Sequence, residues 1–226
     1  MFYAAFNSVY TFLTFSQKDG HWSGGATLPE KENCPSCANI KNADGFCGKV
    51  QTRDYDFPKT GNGSPLPPSA QAVWQEGQYV EMDFVYTANH AGHHVTYACP
   101  DFDNPTQECF DKYKLEFIED LTPEVYGTTH EAPRDDNFPE RAYVDPAASK
   151  TRHRFKLPEG LFGDPENDNL VLLQWHWLTG NSCLHEGYSD YNFPPGWSPD
   201  NMGQCPLPYS DTGVDVPPEQ FWNCAE

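Results

Sequence analysis

Residues 78–99 read QYVEMDFVYTANHAGHHVTYAC. The opening run alternates, with Val80, Met82, Phe84 and Tyr86 on one face and Glu81 and Asp83 on the other. That period of two belongs to a half-buried β-strand. HHVTYAC (93–99) alternates too and predicts a second strand. Between them, Asn89-His90-Ala91-Gly92 is turn chemistry.

The same pattern recurs further along the chain. RHRFKLP (152–158) sets His153, Phe155 and Leu157 against Arg152, Arg154 and Lys156, a strand with a basic outer face. NLVLLQWHW (169–177) is the most apolar run and predicts a central strand, with Trp175 and Trp177 together on its core face and Gln174 and His176 on the other. PEQFWNCAE (218–226) predicts a short closing strand. Residues 21–70 read as a disulfide-pinned loop region, 100–150 as long loops with one short helix near 107–115, and 186–218 as Pro/Gly/aromatic loop. The 21 Pro and 17 Gly interrupt the chain too often for long helices. No internal repeat or linker is visible. The expected fold is all-β: one immunoglobulin-like (fibronectin type III-like) antiparallel β-sandwich spanning 1–226, with 1–33 as an atypical or incomplete amino-terminal segment.

The 226 residues suffice for a sizeable core, and an aromatic content of 15% argues against disorder. A net charge of −19 repels phosphate backbones, so nucleic acid is not an expected partner, whereas a neutral polymer or a metal cation is tolerated. No run of eighteen apolar residues offers a membrane span.

Eight cysteines (34, 37, 47, 99, 109, 183, 205 and 224) form an even set. Cys34-Pro-Ser-Cys37 lacks the second close pair that a zinc site requires, so disulfides and an oxidising, extracellular compartment are expected. Cys99 and Cys109 bracket a short loop, and a bridge there is worth about 2–3 kcal/mol. The sequon Asn62-Gly63-Ser64 fits a secreted glycoprotein.

His90, His93 and His94 crowd five positions. His93 and His94 open a strand and point to opposite faces, which leaves them the role of solvated strand entry. His90, in the turn, has the conformational freedom of a ligand. Glu81 and Asp83 on one strand face raise the rival of a glycoside hydrolase with paired carboxylates.

The segment Thr87-Ala88-Asn89-His90-Ala91-Gly92 with Cys99-Pro100 after it resembles the copper-histidine segment of lytic polysaccharide monooxygenases, long labelled chitin-binding type-4 domains. Cys34 through Phe46-Cys47-Gly48 is similar to that family's Cys/Gly-rich segment. Leu172–Trp177, Thr179-Gly180-Asn181-Ser182-Cys183 and Pro218–Ala225 follow its carboxy-terminal pattern in order. The resemblance implies that His90 is the internal ligand of a three-nitrogen copper site, the histidine brace. It places Phe221 at the axial position and Ala88 near the other axial face. It implies copper as cofactor, a reductant and O2 or H2O2 as co-substrates, and oxidation at C1 or C4 of a glycosidic linkage in an insoluble polysaccharide, chitin or cellulose-like. The brace takes its other two nitrogens from an amino-terminal histidine. Met1-Phe2-Tyr3 cannot supply them, and the upstream histidine is His21, which cleavage after Gly20 would expose. A mature terminus lying elsewhere and a non-catalytic carbohydrate-binding module without a complete brace are the alternatives.

Overall fold

A computed structural model describes residues 13–16, 72–101, 105–161, 163, 170–200, 202–205 and 220–225. The disulfide-pinned region expected over 21–70, and His21 with it, lie outside the described residues. Among the described residues, eight strands form two four-stranded sheets. The first runs β1 (Leu13–Ser16), β2 (Tyr79–Val85), β6 (Lys150–Lys156), β4 (Glu116–Asp120); the second runs β5 (Arg141–Tyr143), β3 (His93–Cys99), β7 (Leu172–Leu178), β8 (Gln220–Ala225). All described pairings are antiparallel except β1 on β2. The two sheets make the expected immunoglobulin-like β-sandwich.

Alternation dictates the core. Val80, Met82 and Phe84 of β2 and Phe155 of β6 face Ala98 of β3, Trp175 and Trp177 of β7 and Phe221 of β8, all buried in one cluster. Burying these side chains contributes roughly 1.5–3 kcal/mol each before entropy is subtracted. The outer faces of the two sheets differ. On the first sheet, Arg152 of β6 grips Asp83 of β2 with two bonds of 2.7 Å, and Arg154 binds both Glu81 of β2 and Glu119 of β4. The basic face expected of β6 is therefore neutralised by carboxylates on both neighbours. On the second sheet, Val95, Tyr97, Cys99, Leu172 and Cys224 are buried on the outer side under Phe110 of helix α1 (Gln107–Asp111). With both faces covered, all seven residues of β3 are buried.

Residues 100–150 hold more regular structure than expected. Besides α1 they carry β4, β5 and a helix α2 (Thr122–Tyr126), started by Pro123 and ended by Gly127 at φ 75°. Short polar strands such as EFIED and RAY give too little alternation to be recognised in sequence. The Cys99–Cys109 disulfide forms as expected and ties α1 to the end of β3. Cys183 bonds Cys205, and Cys224 is also disulfide-bonded.

His93 and His94 correct the expectation of a solvated strand entry, because both are buried. Between the sheets, His94 Nε2 lies 2.9 Å from His153 Nδ1, and His153 Nε2 lies 3.4 Å from Asp120 Oδ1. Asp120 also accepts the backbone N–H groups of Thr122 and Ala132. Burial pushes the Asp120 carboxyl up, but His153 and those two donors hold it below the usual carboxylate range. Burial keeps the His94 imidazole neutral, with Nε2 at the His153 contact and Nδ1 without a hydrogen-bond partner. On the opposite side of β3, His93 Nδ1 meets the Tyr188 hydroxyl at 2.7 Å, beside the ring of His185. Burial holds His93 and His94 well below 6.5 and lowers His176 and His185 to about 4.

These groups predict acid lability. Unfolded imidazoles bind a proton near pH 6.5, while His176 and His185 in the fold resist until about pH 4, and His93 and His94 also stay neutral well below their unfolded value. The unfolded state binds more protons across that window, so stability is complete above it and falls as the pH falls, by up to about 1.4 kcal/mol per pH unit for each histidine. Denaturant melts from neutral pH down to about 4 measure it. A flat profile contradicts the neutral-histidine assignment.

Candidate metal centre

The loop between β2 and β3 lies at one end of the sandwich. The same end carries the terminus of β7 and the start of β8, since Leu178 pairs with both His93 and Gln220. It also carries the connection from β5 to β6, since Tyr143 pairs with His93 and Lys150 with Val85.

Six short hydrogen bonds hold this loop. Asn89 Oδ1 accepts the Ala91 N–H at 2.7 Å, closing an Asx turn, while Asn89 Nδ2 donates to the carbonyls of Asp145 (2.7 Å) and Ala148 (2.6 Å). The His90 carbonyl accepts the Gly180 N–H at 2.9 Å, the Ala91 carbonyl accepts Trp177 Nε1–H at 2.8 Å, and the Gly92 carbonyl accepts the Val144 N–H at 3.0 Å. Ala91 and Gly92 both have positive φ, 53° and 83°. Gly92 is required on a second count, because a Cβ there would lie 2.1 Å from the Leu178 carbonyl oxygen.

This scaffold fixes where His90 stands. Its imidazole is half-buried and stacks on Trp177, with ring centroids 6.2 Å apart and planes 13° apart. Phe221 also stacks on Trp177, at 4.9 Å and 23°, because Trp177 and Phe221 are register partners in β7 and β8. Two of the three described site candidates thus converge on one indole. Ala88, the third, sits exposed in the bend that opens the loop. His93 and His94 do not join His90. Gln174 and His176 point away from it, as expected: Gln174 exchanges amide bonds with Gln107, and His176 bonds Gln220 and stacks on Trp222.

Among the described residues no group of three or more His, Cys, Asp or Glu side chains is placed to hold a metal ion. His90 has the chemistry of a copper ligand: an imidazole on a held backbone, stacked on a tryptophan that offers no donor lone pair. The paired-carboxylate rival loses its candidates. Glu81 and Asp83 are ion-paired to Arg154 and Arg152, with the Tyr126 hydroxyl adding a further bond to Asp83. Neither is placed as an acid or base beside a cleft.

Residues 16–226 match the family model for lytic polysaccharide mono-oxygenase, cellulose-degrading. The chain belongs to the lytic polysaccharide monooxygenase family. Oxidative cleavage of polysaccharide is the chemistry of that family. The fold resembles that of a lytic polysaccharide monooxygenase AA15 from Thermobia domestica, solved in the Cu(I) state, with a TM-score of 0.55 and 22% identity, covering 89% of this chain and 88% of that one. No curated protein sequence matches the chain.

Two residues of the centre escaped the sequence reading. Asn89 was recognisable as a turn former but not as a clamp, because the carbonyls it holds lie 56 and 59 positions away. Trp177 was assigned to the core, and it is buried there, yet its indole N–H also anchors the monooxygenase loop. Replacing Asn89 by Leu removes three hydrogen bonds and is expected to cost about 1–3 kcal/mol in urea unfolding, with Gly92→Ala more damaging still. If both variants match the parent in stability, the loop is not held as described.

Proposed function

We propose that the protein is a secreted, copper-dependent lytic polysaccharide monooxygenase in which His90 would supply one of the three nitrogens that hold the metal. The remaining two come from a histidine at the mature amino terminus, for which His21 is the candidate in this sequence. Phe221 and Ala88 would flank the metal, and neither has a donor atom to offer it. The observation that supports this reading most is the locked His90 loop, with Phe221 brought beside the same indole, in a chain of this family.

The metal, when bound, supplies one-electron chemistry with O2 or H2O2 after reduction by an external donor. The protein's part is positional. Asn89, Gly180 and Trp177 fix the His90 backbone, so the imidazole meets the metal without reorganisation. Phe221 has no donor atom, which keeps the coordination number low. The exposed bend at Thr87 and Ala88 leaves the approach open to a large solid substrate. That substrate is an insoluble polysaccharide, chitin or cellulose-like, and residues 1–226 act as one domain on it. No helix among the described residues is long and apolar enough to cross a membrane.

Mass spectrometry of the secreted protein is expected to find histidine at its amino terminus. Copper titration is expected to show one tight Cu(II) site with an axial paramagnetic resonance spectrum. His90→Ala is expected to weaken that site at least about 100-fold, more than loss of a supporting residue does. A native protein that keeps Met1, or a His90→Ala variant with unchanged copper affinity and spectrum, refutes the enzyme and leaves a carbohydrate-binding module.

A further inference from the structure

Beside the His90 loop the same end of the sandwich carries a groove that the copper chemistry does not use. It consists of two adjoining hollows, of about 560 and 280 Å³, that share Thr129, His130 and Pro195 in their walls. The larger falls within the roughly 300–1,000 Å³ of ligand-binding clefts. One end of the groove is formed by Asp145, Pro146 and Ala147. These belong to the turn whose carbonyls Asn89 holds next to His90. The groove therefore starts where the metal-bearing loop ends.

Its walls are preformed. Asp145 Oδ1 accepts the Ala147 N–H at 2.8 Å, Asp120 accepts the Ala132 N–H, and the Tyr191 hydroxyl donates to the Pro133 carbonyl at 2.7 Å. Its chemistry is mixed in a particular way. Pro133, Pro194, Pro195 and Phe193 offer flat C–H surface, while Thr129, His130, Glu131 and Asn192 offer donors and acceptors around it. A sugar ring presents the same two features, an apolar C–H face and a rim of hydroxyls. No Lys or Arg lines either hollow, Glu131 and Asp145 do, and the chain carries −19 overall, so a polyanion is disfavoured.

We propose that this groove binds a run of a single neutral glycan strand, the continuation of the polysaccharide presented at His90. The proposal rests on the polysaccharide reading above and narrows it. A groove admits one strand lifted from its neighbours, so the protein engages loose chains and soluble oligosaccharides as well as a solid face.

The test is titration of the full-length protein with cellohexaose and with chitohexaose, followed by calorimetry and by chemical-shift changes, in parent and His130→Ala/Asn192→Ala protein. Both side chains reach solvent and neither holds the loop. The parent is expected to bind at least one hexaose, and the double variant to bind it about 10-fold more weakly, with melting temperature and copper affinity unchanged. Whichever hexaose binds identifies the strand as cellulose-like or chitin-like. Absence of hexaose binding in the parent, equal affinity in the variant, or tighter binding of polygalacturonate than of either hexaose overturns the proposal. Groove-dependent hexaose binding in a protein that fails to oxidise polysaccharide with copper upholds the groove and refutes the enzyme.

Discussion

Gly92 and Gly180 meet backbone to backbone, and a Cβ on Gly180 would stand 2.8 Å from the Gly92 nitrogen. This contact lets the loop after β2 lie flat on the end of β7, where the His90 carbonyl reaches the Gly180 N–H. Everything at that end follows from it. Trp177 can cap the loop only because the loop is close, and β3 can enter between β5 and β7 only because Gly92 turns the chain with positive φ. Side chains larger than hydrogen at these positions would lift the loop off the sheet and carry His90 with it.

The two sheets solve the burial of their outer faces by different physics. The first crosses its outer face with arginine–carboxylate pairs whose side chains are only partly exposed, and these tie β2 to β6 in register. The second buries its outer face under α1 and a disulfide. The aromatic groups gathered at the His90 end come from both sheets: Tyr86, just after β2 of the first, meets Trp177 edge-on, while Trp177 and Phe221 belong to the second. The His94–His153–Asp120 chain joins the sheets behind them.

Much of this was legible in the sequence because alternation reports burial directly. Strands at 79–85, 93–99, 150–156, 172–178 and 220–225 follow from the spacing of Val80, Met82 and Phe84, of Phe155 and Leu157, and of Trp175 and Trp177. The Cys99–Cys109 bridge followed from proximity in the chain. What stayed hidden depends on contacts between distant segments. Nothing local to His93 and His94 distinguishes a solvated strand entry from one covered by Tyr188 and His153. Likewise, Glu81 and Asp83 look like a catalytic pair until Arg154 and Arg152 come from seventy residues away to claim them. The copper-binding reading of His90 came from resemblance to a family pattern; the reason its loop is rigid came only from the fold.

The break of register between Phe117 and Glu119 in β4 has a consequence beyond the sheet it belongs to. β4 is an edge strand, and its outward carboxylates Glu116 and Glu119 are tied to Arg134 and Arg154. A foreign strand laid along it would lose step at the irregularity and meet charge on both sides of it. Molecules brought side by side at high local concentration are therefore hindered from pairing strand to strand along this margin.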